Sequence, residues 1–216
     1  MKKTRKQKEI TNHYNKIGKY GIYDFLVSFF LLGMDRNIRN RLIKNGSLKE
    51  EMDVLDVGTG TGRNIPLIRD VVGPSGSVTG VDISSGMLQR ARRFERYDNV
   101  DVKESDIYEY NPSFCYDAIV ASYVLCVIPE PEKLLKQINK LLKPNGKILF
   151  LTASFPNARG MVFRKVLEFE EWIAAANLSI DPSHIFESRD FKVEHSFEFW
   201  RYINGFSVKR ASGANK

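Results

Sequence analysis

Cysteine is nearly absent from this chain: Cys115 and Cys126 are the only two among 216 residues. Two thiols cannot build a disulfide framework or a zinc site of cysteine spacing. Each sits in or beside an apolar, strand-like run, so both are expected to be inert core thiols in a reducing compartment, the cytoplasm, and no metal site is expected. Long apolar runs are missing too. The longest, residues 25–34, is interrupted by Ser28 and Gly33 and falls far short of the roughly 20 residues that a membrane-crossing helix needs. A polar stretch, residues 2–19, separates the basic start from that run and no small-residue cleavage site follows, so no signal peptide is expected. No RRM or KH signature of an RNA-binding module is present. What remains is 43% hydrophobic and 27% charged, ample for one core and short for two domains.

Negative charge is in deficit, leaving a formal net charge of +7. Part of the excess lies in the arm Lys2-Lys3-Thr4-Arg5-Lys6-Gln7-Lys8, read most simply as a solvated tail, and part in Arg36, Arg39, Arg41 and Lys44. Nucleic acid or an anionic membrane surface could use either cluster, at about 1 kcal/mol per basic residue near a membrane. A purely solvated role ranks ahead of both partners, with nucleic acid last.

The densest signal is Leu55-Asp56-Val57-Gly58-Thr59-Gly60-Thr61-Gly62-Arg63. Val54, Leu55 and Val57 read as a central parallel strand, and Gly58, Gly60 and Gly62 let the backbone turn tightly and approach a ligand before a helix begins. A dinucleotide fingerprint starting at Gly58 would need Gly or Ala where Arg63 stands. A nucleotide ligand without a pyrophosphate fits better.

This region resembles motif I of the class I methyltransferases that use S-adenosyl-L-methionine, and the resemblance runs from about residue 53 to residue 150. Val78-Thr79-Gly80-Val81-Asp82 reads as a second strand ending in an acid about 20 residues past the loop, where a carboxylate can take both ribose hydroxyls. Ile83-Ser84-Ser85-Gly86-Met87-Leu88-Gln89-Arg90-Ala91-Arg92 is similar to the family's D-x-S/N-x-x-M-L-x-x-A-R run, with Ile83 against adenine. Val100-Asp101-Val102-Lys103 reads as the third strand. Ser105-Asp106-Ile107 stands where the family places an acid that accepts from the adenine amino group. Tyr116 to Ser122 looks like the fourth strand, and Leu141-Leu142-Lys143-Pro144-Asn145-Gly146 like the turn into the fifth. The resemblance implies a Rossmann-like, seven-stranded, doubly wound α/β sheet, mostly parallel with an antiparallel C-terminal strand. It also implies S-adenosyl-L-methionine as cofactor, held by Asp56, Gly58, Thr59, Gly60, Gly62, Asp82, Ile83, Met87, Asp106, Ile107 and Ala121. Each piece alone has a plainer meaning: Asp82 could cap the helix starting near Ser84, and Asp106 could be a surface acid. Their joint order at successive strand ends is what carries weight, because open α/β sheets bind ligands there.

Two flanking regions are expected to set specificity: a basic arm and helical cap over residues 1–46, ahead of the methyltransferase domain at 47–216, and a helical insertion at about 156–190. In the cap, Ile22, Phe25, Leu26, Phe29 and Phe30 recur on one helical face with Asp24 and Ser28 opposite, and Ile38 and Leu42 continue before an Asn45-Gly46 stop. That helix either covers the sheet edge or forms an acceptor entrance touching lipid. The run Lys19-Tyr20-Gly21-Ile22-Tyr23-Asp24-Phe25-Leu26-Val27-Ser28-Phe29 is similar to the K-Y-D-x-x-N-x-x-x-S-F segment of the quinone-biosynthesis C-methyltransferases, with Gly21 in place of Asp. In the insertion, Val162, Phe163, Val166, Leu167, Phe169, Ile173 and Ala176 trace an apolar helical face. Beyond it, residues 191–199 alternate as a strand and are expected to return through an Asn204-Gly205 turn as a closing hairpin.

The sulfonium of the implied cofactor is already activated, so little acid-base machinery is needed. His13, His184, His195, Tyr14, Tyr20 and Tyr123 are the available bases for a carbon or oxygen acceptor. Of these, Tyr20 and Tyr123 rank as acceptor-pocket residues, His184 lies in a loop near the expected pocket, and His195 belongs on a strand's polar side. The resulting expectation is a methyltransferase for a small, hydrophobic or amphipathic acceptor, a quinone precursor or phospholipid-like molecule, in the cytoplasm or peripheral to the membrane's inner face. RNA or protein methylation is the alternative, weakened because Ser122-Tyr123-Val124-Leu125 replaces an Asn-Pro-Pro-Tyr-like tetrapeptide. A nicotinamide oxidoreductase, disfavoured by Arg63, and a non-catalytic nucleotide-binding subunit stand further off. Oligomeric state is left open.

Overall fold

A computed structural model describes residues 5–153, 191–199 and 203–210. Three helices, α1 (Arg5–Lys19), α2 (Ile22–Phe30) and α3 (Asp35–Asn45), precede a sheet whose parts are β1 (Asp53–Val57), β2 (Ser77–Asp82), β3 (Val100–Glu104), β4 (Tyr116–Ser122), β5 (Leu142–Ala153), β6 (Phe191–Phe199) and β7 (Ile203–Arg210). The crossovers carry α4 (Ile65–Val72), α5 (Ser85–Ala91) and α6 (Pro131–Leu141). The strand order is β3-β2-β1-β4-β5-β7-β6. β1 pairs in parallel with β2 and β4, β2 with β3 and β4 with β5, while β7 runs antiparallel to both neighbours. This is the expected mostly parallel sheet with an antiparallel C-terminal strand.

Period-two side-chain alternation builds two cores from the same strands. Val54, Ala118, Val120, Leu149 and Leu151 face one layer, packed with Ile38 and Leu42 of α3, Ile68 of α4 and Leu88 of α5. Leu55, Val57, Ile119, Ala121, Ile148 and Phe150 face the other, against Leu134, Leu135 and Ile138 of α6. Burial on both faces explains why β1 and β4 read as near-continuous apolar runs. The order reverses where β1 lies between β2 and β4, the switch point at which such sheets bind ligands.

Two expectations need correction. Asn204 and Gly205 do not form the hairpin turn: both lie inside β7, where Gly205 pairs with Leu151 on one side and Phe197 on the other. A Cβ on Gly205 would run into the Phe197 ring, so glycine is there for close approach. The aromatic face of α2 does not cover the sheet edge: Ile22, Phe25 and Phe29 are exposed, Phe25 at 68%. The side chains of Leu26 and Phe30, and the whole expected insertion, lie outside the described residues.

Candidate active site

The loop after β1 adopts the conformation its glycines permit. Gly58, Gly60 and Gly62 have φ of 63°, 57° and 80°, in the left-handed region that a side chain disfavours. The last two serve different ends. A Cβ on Gly60 would point at the Met87 methyl 3.3 Å away, within the cleft, whereas one on Gly62 would press on the Phe94 ring at 2.9 Å, behind it. Gly62 thus lets the loop pack on α5 and the following turn.

Beneath the loop lies a fully buried polar scaffold. Thr59 Oγ1 donates to Asp56 Oδ2 at 2.6 Å and Asn64 Nδ2 to Asp56 Oδ1 at 2.8 Å. Asn64 in turn accepts from Arg39 Nη1 at 2.8 Å, and Arg39 Nε lies 2.8 Å from Asp35 Oδ2. Burial pushes the Asp56 carboxyl up to about 6, despite the hydrogen bonds from Thr59 and Asn64 that favour its charged form. Asp56, with both oxygens committed and no exposure, holds the loop's shape from below and is absent from the cleft wall.

Above the loop, Asp82 stands at the end of β2. Its Oδ2 accepts from Gly60 N and its Oδ1 from Ser84 N, each at 2.9 Å. The capping role that Asp82 could have played is filled by Ser84, whose hydroxyl accepts from Met87 N at 3.3 Å. Asp82 is half-buried and lines the cleft, with its pKa raised by burial against those backbone donors. Across the cleft, Asp106 Oδ1 accepts from Tyr108 N at 3.0 Å, which fixes the carboxylate at the end of β3.

The cleft takes in about 1100 Å³ when the open solvent at its mouth is counted. Gly58, Thr59, Gly60, Asp82, Ile83, Met87, Asp106, Ile107 and Tyr123 all line it. Gly62, Asp56 and Ala121 lie behind its wall. Tyr20 is 72% exposed and outside it. His195 is exposed on β6, and His184 lies outside the described residues.

Sequence reasoning missed most of the opposite wall. Ile10, Thr11 and Tyr14 from α1, Tyr23 from α2 and Arg39 from α3 close the cleft, facing Val124, Val127 and Ile128 beyond β4. Tyr14 and Tyr23 meet edge to face with centroids 6.1 Å apart. Asn15 ties α1 down by accepting from Ser84 Oγ at 2.8 Å and Gly86 N at 3.1 Å. A Cβ on Gly18 would clash with Met87, so that helix lies directly on α5. Tyr123, at φ 61°, turns back across the sheet end with its N–H on Leu151 O. The Arg39 guanidinium lies 5.1 Å from its ring centre, and its buried hydroxyl has no hydrogen-bond partner among the described residues.

A carboxylate ending β2, a glycine cradle and an acid at the next strand end suit a nucleoside cofactor, whose ribose hydroxyls and base amino group are donors to carboxylates. A family model described as a methyltransferase domain matches residues 30–206. The chain belongs to that family. Among curated relatives, the ubiquinone/menaquinone biosynthesis C-methyltransferase UbiE of Pasteurella multocida (strain Pm70) is 29% identical over 160 residues, covering 71% of this chain but 59% of that protein. A demethylmenaquinone methyltransferase of Staphylococcus aureus (strain MRSA252) is 26% identical over 192 residues, 78% of this chain and 80% of the relative. Solved structures share the fold. A SAM-dependent methyltransferase from Aquifex aeolicus aligns with a TM-score of 0.60 at 24% identity, over 79% of this chain and 88% of its own. The DhpI–SAH complex aligns at 0.65 and 18%, over 93% and 95%. The cofactor of this methyltransferase domain is S-adenosyl-L-methionine.

Proposed function

We propose that this chain transfers the methyl group of S-adenosyl-L-methionine to a small hydrophobic or amphipathic acceptor, with quinone precursors as the leading class. The observation that supports the acceptor class is the lining of the cleft opposite Asp82: Tyr14, Tyr23, Val124 and Ile128 offer aromatic and aliphatic surface beside two arginines, Arg39 and Arg63, whose charges are already paired with Asp35 and Asp24. The quinone-methylating names of the relatives support the same choice.

The donor supplies a methyl group on a positively charged sulfur that leaves as a neutral thioether, so the protein's work is alignment and exclusion of water. In this reading Asp82 takes the ribose hydroxyls, Asp106 takes the adenine amino group, and Gly60 leaves room for the amino-acid end of the cofactor. Asp56 shapes the loop from beneath. Burial pushes the Tyr23 hydroxyl up to about 12 and raises those of Tyr14 and Tyr123 as well. These tyrosines therefore stay protonated near neutrality and act as walls and hydrogen-bond donors to an acceptor oxygen, not as bases. Because quinone precursors are lipophilic, the reading places the protein in the cytoplasm at the inner face of the membrane.

The deciding experiment incubates the full chain with S-adenosyl-L-methionine and a reduced, short-chain demethylnaphthoquinol, with mass spectrometry as readout. The expected result is stoichiometric formation of the methylated quinol and S-adenosyl-L-homocysteine. Cofactor binding without turnover of any such quinol would refute the acceptor assignment.

A further inference from the structure

The positive charge is not spread over the molecule. Residues 1–46 hold eleven Lys and Arg against three Asp and Glu, a net of +8, so the remaining residues together carry −1 of the chain's +7. Two of those three acids point inward: Asp24 accepts from Thr61 Oγ1, Arg63 and Arg90, and Asp35 from Arg39 and Arg63. Among the described side chains of this segment, Lys8, Lys16, Lys19, Arg36, Arg41 and Lys44 are exposed against a single exposed acid, Glu9, so its outer surface is cationic.

On that cationic segment sits a stripe of exposed apolar side chains: Tyr20 at 72%, Phe25 at 68%, Phe29 at 64% and Leu32 at 70%, with Ile22 beside them. The Phe25 and Phe29 rings stack with centroids 6.3 Å apart. Lys19 Nζ hangs 5.8 Å over the Tyr20 ring at one end of the stripe, and Arg36, exposed, follows it at the other. The arrangement is the reverse of a buried amphipathic helix. The polar residue Asp24 is locked onto the glycine loop, and Tyr23 forms part of the cleft wall. The aromatic residues are left outside.

We propose that α2 is a docking surface for an anionic lipid bilayer, and that the acceptor enters the cleft past it. The proposal rests on the lipophilic-acceptor reading and deepens it by naming the entry side. Aromatic and aliphatic side chains flanked by cations match the boundary between headgroups and acyl chains. A second copy of this chain matches less well, since two such surfaces would bring cations against cations. A single helix separates the lipid-facing stripe from the cleft, because neighbouring residues of α2 serve both.

The test is co-sedimentation of the full chain with vesicles of phosphatidylcholine alone or mixed with phosphatidylglycerol, at low and high salt, beside calorimetry with S-adenosyl-L-homocysteine. The wild-type protein should bind the anionic vesicles at least tenfold more than the neutral ones and lose that preference in high salt. Phe25→Ser combined with Phe29→Ser should reduce vesicle binding at least tenfold and leave homocysteine-product affinity in solution unchanged. Equal binding by wild type and the double variant, no binding to anionic vesicles, or a dimer that the double variant dissolves would each overturn the proposal. Should the double variant fail to fold, Phe29→Trp supplies the readout: its added emission must shift to the blue on anionic vesicles, and an unchanged spectrum overturns the idea. Loss of homocysteine-product binding in the wild type would refute the methyltransferase reading while leaving the vesicle result to stand on its own.

Discussion

Arg63 Nε donates to Asp35 Oδ2 at 2.7 Å while its Nη1 reaches Asp24 Oδ1 at 3.2 Å. The residue that breaks the dinucleotide pattern thus helps to fasten the helical cap to the glycine loop, beside the Thr61–Asp24 hydrogen bond. Its fork bridges two carboxylates on separate helices, a geometry that lysine's single ammonium cannot copy. Arg63→Ala should cost about 1–3 kcal/mol of folding stability, the range for hydrogen bonds to charged groups and the desolvated partners they leave behind. Arg63→Lys should recover less than half of that loss. Urea denaturation measures both, and a fully restored Arg63→Lys protein would show that charge alone suffices.

Asp82 is predicted to hold the cofactor's ribose. Asp82→Ala should weaken S-adenosyl-L-homocysteine binding by about 1.5–3 kcal/mol with the fold intact, because Ser84 caps α5 independently at 3.3 Å. Calorimetry and far-ultraviolet circular dichroism on the same sample separate the two effects. Unchanged affinity in a folded variant would leave Asp82 with only the loop amide of Gly60 and the amide of Ser84 to serve.

Asp56 gives the stability a pH dependence whose sign follows from its burial. Its carboxyl is pushed up to about 6 in the folded protein, against about 3.9 in an unfolded chain. The folded state binds the proton more tightly over that window, so this group's contribution makes stability fall as pH rises from about 4 to about 6 and then level off. Each pH unit of separation is worth about 1.4 kcal/mol. Asp56→Asn keeps an acceptor for Asn64 and can donate to Thr59, so it should remove that slope and gain stability relative to wild type near neutrality. Denaturation midpoints of both proteins across this pH window check it. Parallel curves would mean that Asp56 ionises as easily folded as unfolded.

How much of this was legible in the sequence depended on the range of the interactions. The glycine loop, the acid at position 82 and the strands around them follow from local patterns, because a parallel strand buried on both faces and a tight turn leave signatures in adjacent residues. Arg63 was legible only as a misfit, since its partners Asp24 and Asp35 lie 39 and 28 positions away. For α2, periodicity identified the residues sharing a face but could not say which face turned inward; the ion pairs of Asp24 decide that. Asn204-Gly205 has the composition of a turn, and the close approach of Phe197 overrides it. Tyr14 and Tyr23 entered the cleft through tertiary packing of α1 on α5, for which no local pattern exists.

Calorimetric titration of the wild-type chain with S-adenosyl-L-homocysteine and, separately, with NADH decides whether the cleft between Gly60, Asp82 and Asp106 is an adenosyl site of a methyltransferase. Saturable one-to-one binding of the homocysteine product, with NADH binding at least tenfold weaker, is the predicted result. NADH binding as tightly as the product, or more tightly, would make the cleft a dinucleotide site instead.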